Sequence, residues 1–223
     1  MSVASPHRMC ASSAASTFAA RTMMQSMESA QHAGTGKSTD AQVHMMANQT
    51  NMVVLVDEDD NKIGLEEKMA AHSNGGRLHR AFSIFVFNSK RELMMQRRAL
   101  AKYHAAGLWA NTCCSHPFDG EAVAAAGHRR LMEEMGFDCE LTEAFSFTYH
   151  AEVGNGLTEN EFDHVLIGRY DLPPRINQDE VEDWKFMAME NLVKDAGDNP
   201  ERYVPWLLIV LPKIVEWARR NIR

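Results

Sequence analysis

The sequence predicts an α/β (α+β) domain in which a mixed β-sheet is sandwiched between helices. Three observations predict it. Residues 78–88 are apolar on both alternating sets, with Phe82, Ile84 and Val86 on one and Phe85 and Phe87 on the other, as in a central strand buried on both faces. Over 121–135 the apolar positions Val123, Ala124, Leu131 and Met135 recur at helical spacing, and Gly136 stands where a helix end prefers a left-handed residue. Over 203–221, Trp206, Ile209, Val210, Ile214 and Trp217 form an apolar stripe that needs a surface to pack against.

The remaining elements follow in order. From Met52, MVVLVD reads as a short strand, and the polar DEDDNKIG after it is a turn signal leading to a second one. After the central strand, Asn88-Ser89-Lys90 is a turn and 92–98 the returning strand. The segment WANTCCSHP is expected to be a loop between that strand and the helix at 121–135. Strands are expected around 144–150, 162–170 and 184–188, and a short helix near 190–195 before the last one.

Residues 1–50 are rich in Ser, Ala, Met, Gln, Thr and His and lack any sustained period. They are expected to be a disordered N-terminal extension, leaving 51–223 as the catalytic domain. Arg8 and Arg21 precede the first acidic residue, Glu28, a composition also found in organelle transit peptides; the alternative is a non-functional extension.

Composition narrows the function. A chain of 223 residues with 45% hydrophobic content can bury a substantial core. Its formal net charge of -7 argues against a general nucleic-acid binder, so any phosphate site must be local. No apolar run approaches the roughly 20 residues that cross a bilayer, so no membrane role is expected. Of the four cysteines, Cys113 and Cys114 are adjacent and the others form no disulfide framework, which favours a reducing, cytoplasmic compartment with free thiols.

Four constellations carry chemistry. In WANTCCSHP a vicinal thiol pair precedes Ser115 and His116. A thiol there can act as acid or base if its pKa is tuned, and the histidine can ligate; the plain alternative is a cysteine pair packed as small hydrophobes. His72 and His79 flank a Gly-Gly turn that a hairpin-like return would close. Glu159 and Glu161, two apart in an extended segment, point the same way. With His116 they make an imidazole and carboxylate set suited to Mn, Zn or Fe. On the helix at 121–135, Arg130 and Glu134 share a face, while Glu133 and Glu134 crowd negative charge at the helix C-terminus, where the macrodipole disfavours it and a cation is expected. Finally Lys68, Arg98, Lys102 and Arg130 could converge as a diphosphate cradle.

These blocks together, EKMAAH, RLHRAFS, QRRALAKYH, GLWANTCCSHP, RRLMEEMGF, FTYHAEV, LTENEFDH and YVPW, resemble the type 1 isopentenyl-diphosphate delta-isomerases, a branch of the Nudix superfamily. Against the general Nudix box the chain keeps Glu121, Arg129, Glu133, Glu134 and Gly136, but has Ser115 at the leading Gly and Arg130 where a metal-binding Glu is usual. That departure disfavours the main rival, a Nudix hydrolase of a diphosphate substrate. The resemblance implies a Nudix fold and the reversible 1,3-allylic conversion of isopentenyl diphosphate to dimethylallyl diphosphate in isoprenoid biosynthesis. It implies that Cys114 and Glu161 lie on opposite sides of the alkene, that Tyr149 assists Glu161, and that Trp206 is the wall facing the carbocation. It further implies His72, His79, His116, Glu159 and Glu161 as ligands of one divalent metal, Mn2+ or Zn2+, and Glu134 as a ligand of a Mg2+ that also grips the diphosphate. Lys68, Arg98, Lys102, Ser115 and Arg130 match the diphosphate contacts. The only partner expected is the small-molecule substrate, to a monomer or weak homodimer.

Overall fold

The computed structural model describes residues 51–222; the expectation for residues 1–50 lies outside them. The elements are β1 (Met52–Val56), β2 (Lys62–Glu67), a short α1 (Lys68–His72), β3 (His79–Phe87), β4 (Glu92–Arg98), β5 (Trp109–Ala110), β6 (Cys113–Ser115) and α2 (Val123–Met135). They continue with β7 (Leu141–Gly154), β8 (Leu157–Arg169), β9 (Val181–Ala188), α3 (Met189–Asp198), a 3-10 turn at Pro200–Arg202 and α4 (Pro205–Asn221). The strands form one mixed nine-stranded sheet. Among the described residues no helix is long and apolar enough to cross a membrane.

β3 is the axis. It runs parallel to β8 from His79–Glu161 to Phe87–Arg169 and antiparallel to β6 on its other edge. Its alternating side chains enter two separate cores, as the doubly apolar pattern requires. Phe85 and Phe87, with Val165 and Ile167 of β8, pack under α4 through Trp206, Leu207, Val210 and Ile214. Phe82, Ile84 and Val86 pack under α2 through Ala126, Leu131 and Met135. Helices therefore cover both faces. Each fully buried aliphatic side chain in these layers, such as Ile84 or Leu131, contributes roughly 1.5–3 kcal/mol through its removal from water.

Several boundaries differ from the sequence reading. The strand at 92–98 does not return along β3: after the turn only Phe87 and Leu93 pair, and β4 instead lies antiparallel to β9. WANTCCSHP is not a loop, because Trp109–Ala110 pairs with β4 and Cys113–Ser115 with β3. The two strands expected at 144–150 and 162–170 are one long hairpin turning at Asn155. Their outer positions are polar and exposed, which hid their length.

The last helix begins at Pro205, not 203. Proline favours the first helical position and disfavours helical backbone before it, so Tyr203 and Val204 stay extended and Val204 N–H donates to the Trp109 carbonyl. On that helix Ile209 is 40% exposed, and the buried stripe is Trp206, Leu207, Val210, Leu211 and Ile214. α2 starts at Val123, with Glu121 outside it, accepting from Phe118 N–H and from Arg129. Gly136 ends α2 at φ 67°; a Cβ there would stand 2.3 Å from the Arg175 carbonyl oxygen, so only glycine fits.

Candidate active site

Neighbouring strands bring the chemistry together by register. His79 of β3 is level with Glu161 of β8, which is level with Tyr149 of β7. On the other edge of β3, Cys114 is level with Ser83. Along β8 the inward positions run Glu159, Glu161 and Asp163 before turning apolar at Val165 and Ile167. β3 repeats the gradient, with His79 and Ser83 preceding Phe85 and Phe87. One sheet face is thus polar at one end and core at the other.

At the polar end His72, His79, His116 and Glu161 each bring one ligand atom within 4.8 Å of the others. His72 Nδ1 lies 2.6 Å from the Lys68 carbonyl oxygen and His79 Nδ1 2.8 Å from that of Arg77. A carbonyl only accepts, so both Nδ1 atoms carry hydrogen and both Nε2 lone pairs are left to ligate. His79 Nε2 is 3.1 Å from His116 Nε2, and His116 Nε2 is 2.9 Å from Glu161 Oε1. Burial lowers His116 to about 4, keeping it neutral. Glu159 flanks this group: its Oε2 is 2.9 Å from His72 Nε2, yet both atoms are buried without a hydrogen-bond partner. Close approach without hydrogen-bond geometry is the arrangement of two atoms converging on one cation. The donor set therefore fits a divalent metal.

The two histidines are joined differently from a hairpin. α1 ends at His72, and the chain crosses to β3 through Gly75 and Gly76. Gly76 has φ 73°, and a Cβ there would stand 2.8 Å from the Thr158 carbonyl oxygen, so the turn lies directly on the strand that carries Glu159.

Both carboxylates stay ionised. Burial opposes the charge of Glu159, but the close contact from His104 and the neighbouring His72 imidazole outweigh it and hold the carboxyl well below its usual range. Burial and the Glu159 charge oppose that of Glu161, and His116 and His79 bring it down. Tyr149 Oη donates to Glu161 Oε2 at 2.6 Å, its own pKa raised far above normal by burial first and by Glu161 second. Asp163, one inward position further, is pushed well up by burial and the Glu161 charge, and accepts from Ser83 Oγ at 2.8 Å.

A pocket next to this cluster is lined by Cys114, Tyr149, Glu161 and Trp206. Cys114 Sγ donates to Asn111 Oδ1 at 3.1 Å and sits 3.6 Å from Ser83 Oγ; chiefly through burial the thiol is pushed up to about 12, so it holds its proton. Cys113 points the other way, fully buried beneath α2. Trp206 is both core and wall: it is 5% exposed, belongs to the α4 core and lines the pocket. Its ring centroid lies 5.3 Å from the Arg98 guanidinium.

The same pocket is lined by Lys68, Arg98, Lys102, Ser115 and Arg130, which reach it from α1, β4, the loop after β4, β6 and α2. Burial, helped by Arg98, Arg130 and Lys68, outweighs the pull of Glu134 and lowers Lys102 to about 8. Glu134 lines it too, 3% exposed, with Oε1 bound by Arg130 and Oε2 by Gln96. Arg130 thus pairs with both glutamates at this helix C-terminus, binding Glu133 at 2.7 Å.

Of the residues singled out in the sequence, twelve line this pocket, and His72 and His79 lie buried in the cluster beside it. Sequence reasoning missed Ser83, Asp163 and His104. The first two left a trace: Ser83 is the polar break in an apolar strand, and Asp163 continues the period-two run of Glu159 and Glu161. His104, whose Nε2 holds Glu159 Oε1 at 3.0 Å, comes from a loop without pattern.

Comparison with known proteins gives the family and the fold. The NUDIX domain family matches residues 77–207. Isopentenyl-diphosphate Delta-isomerase 2 of Aromatoleum aromaticum is 54% identical over 171 residues, covering 77% of this chain and 90% of that one. Isopentenyl-diphosphate Delta-isomerase 2 of Photorhabdus laumondii is 50% identical, covering 75% and 97%. Among solved structures, a Deinococcus radiodurans protein superposes with TM-score 0.62 at 20% identity, over 73% of this chain and 98% of that one, and shares the fold. The MutT protein of Methanosarcina mazei does so with TM-score 0.52 at 15% identity, over 66% and 96%.

Proposed function

Since the chain belongs to the Nudix-domain isopentenyl-diphosphate Delta-isomerases, we infer that it interconverts isopentenyl diphosphate and dimethylallyl diphosphate by adding a proton at one end of the allylic unit and removing one at the other. The observation that carries this reading is a single pocket lined by a protonated thiol, by an ionised carboxylate with its phenol, and by four cations. The shift conserves atoms: one proton joins the terminal alkene carbon, another leaves the carbon two bonds away, and the double bond moves between them. One acid and one base must therefore face the substrate together. Cys114 holds a proton to give and Glu161 lacks one and can take it; the shift leaves a Cys114 thiolate and a protonated Glu161, the pair from which the reverse reaction starts, and exchange with water restores the resting forms.

Trp206 and the apolar core behind it exclude water from the cationic carbon that develops in between, and the indole face stabilises such a cation by about 2 kcal/mol. Lys68, Arg98, Lys102, Arg130 and Ser115 hold the diphosphate, which fixes the alkene between Cys114 and Glu161 and lowers the entropic part of the barrier. His72, His79, His116, Glu159 and Glu161 would hold Mn2+ or Zn2+, and Glu134 would hold Mg2+. When bound, these metals supply positive charge for the substrate and for the Glu161 carboxylate. The enzyme acts on this small molecule in the cytoplasm, where free thiols such as Cys114 stay reduced.

Arg130 in place of a metal-binding carboxylate suits holding a diphosphate rather than cutting it. The test is product analysis on purified protein after chelation, with metals returned one at a time. Double-bond migration in isopentenyl diphosphate is the expected result, and phosphate release without migration would overturn the reading in favour of a hydrolase.

A further inference from the structure

We propose that Glu180 is a resident counter-anion of the diphosphate cradle, competing with the substrate for Lys102 and Arg130 and so limiting how tightly the site holds any diphosphate. The inference rests on reading those cations as diphosphate contacts. Glu180 ends the loop before β9, and its backbone is fixed independently of its side chain: Glu180 N–H donates to the Asn177 carbonyl and Ala99 N–H donates to that of Glu180, both at 3.0 Å. Its Cα is thereby anchored beside the end of β4. The carboxylate then reaches over two cations at once, Oε2 accepting from Lys102 Nζ and Oε1 lying 3.3 Å from Arg130 Nη2.

Glu180 lines a cavity that shares Lys68, Lys102, Ser115, His116 and Arg130 with the catalytic pocket. Its side chain is 23% exposed, so solvent reaches it at the cradle. Among the described residues Lys68 and Arg98 have no carboxylate at ion-pair distance, while Lys102 and Arg130 both do. An incoming diphosphate therefore meets two cations without a carboxylate partner and two whose charge is already shared, Lys102 with Glu180 and Arg130 with Glu180, Glu133 and Glu134. It must draw Lys102 and Arg130 from a carboxylate whose Cα stays anchored beside them, and that nearby carboxylate afterwards repels it.

Such a competitor has a purpose in an isomerase. Substrate and product carry the same diphosphate, so a cradle that binds it more tightly gains nothing in the chemical step and slows product release.

The test compares wild type with E180Q, which keeps the shape and removes the charge, and with E180A, which removes both. Each metal-loaded protein is titrated calorimetrically with inorganic pyrophosphate, and KM and kcat are measured for isopentenyl diphosphate. Losing a partly exposed like charge next to the ligand should tighten pyrophosphate binding on the order of tenfold in both variants, with KM falling in parallel and kcat unchanged or lower. Equal or weaker pyrophosphate binding in a variant that melts like wild type would mean that Glu180 merely organises Lys102 and Arg130, and the inference falls. If wild type turns over isopentenyl diphosphate and binds pyrophosphate, that failure belongs to Glu180 alone. If wild type does neither, the reading of the site fails, and this inference with it.

Discussion

Glu161 faces two ways, and Tyr149 defines one of them: the phenol donates to Oε2 at 2.6 Å while Oε1 lies 2.9 Å from His116 Nε2. One oxygen belongs to the ligand cluster and the other to the phenol. The carboxylate can thus keep its place among the histidines while a proton moves at its far oxygen.

Tyr149→Phe removes that hydrogen bond without touching the cluster. A hydrogen bond to a charged group contributes about 1.5–3 kcal/mol, so kcat should fall roughly 10- to 100-fold with KM and bound metal unchanged. Loss of metal in this variant would show that the phenol supports the ligands and not the proton step.

The vicinal thiols should separate cleanly. Cys114→Ser replaces a thiol with a far weaker acid in the pocket and should cost roughly 100- to 10,000-fold in turnover, along with deuterium incorporation into product from heavy water. Cys113→Ala lies in the α2 core, so it should lower stability by about 1 kcal/mol and leave turnover per folded molecule intact. The reverse pattern, an inactive Cys113 variant beside an active Cys114 variant, would require the opposed pair to be redrawn.

His79→Ala should weaken metal binding by roughly tenfold or more, measured by chelator competition on the metal-loaded protein, with part of the turnover restored by excess metal. Metal content equal to wild type would make His79 a core residue only.

Lys102 gives a pH dependence. Its pKa is lowered to about 8, so its charge is present at neutral pH and disappears as pH rises through that value. KM for the diphosphate should therefore rise between about pH 7 and pH 9, while Lys102→Arg, whose guanidinium stays charged, should flatten that limb. An identical rise in the arginine variant would assign the titration elsewhere.

Much of this was legible in the sequence wherever local periodicity decided the outcome. β3 declared two cores through Phe82, Ile84 and Val86 against Phe85 and Phe87, and Glu159 and Glu161 declared a common face through their spacing. Illegible were relationships set by strand order. Cys114 meets Ser83, and His79 meets Glu161, only because β6 and β8 border opposite edges of β3, which no local pattern encodes. The long β7–β8 hairpin hid behind its exposed polar positions, and Ile209 misled because it sits at helical spacing on a face that, among the described residues, is left 40% exposed. His104 and Glu180 reach the site from loops, where side-chain direction follows backbone turns and not a period.

The hairpin also makes the chemistry behave like a reading frame. Its pairing extends from Leu141–Gly168 to Gly154–Leu157, with bulges at Ala144 and Val153, and between those two bulges side chains alternate faces. One residue inserted in β8 ahead of Glu159 would turn Glu159, Glu161 and Asp163 outward together and send their neighbours, Asn160 and Phe162 among them, inward. The carboxylates proposed for metal binding and proton transfer and the buried acid would all be lost in one step, although each residue was still present. Length changes in this chain should therefore be tolerated at the Asn155 turn, outside the frame, and nowhere along the ladder between Tyr149 and Asp163 except as compensated pairs.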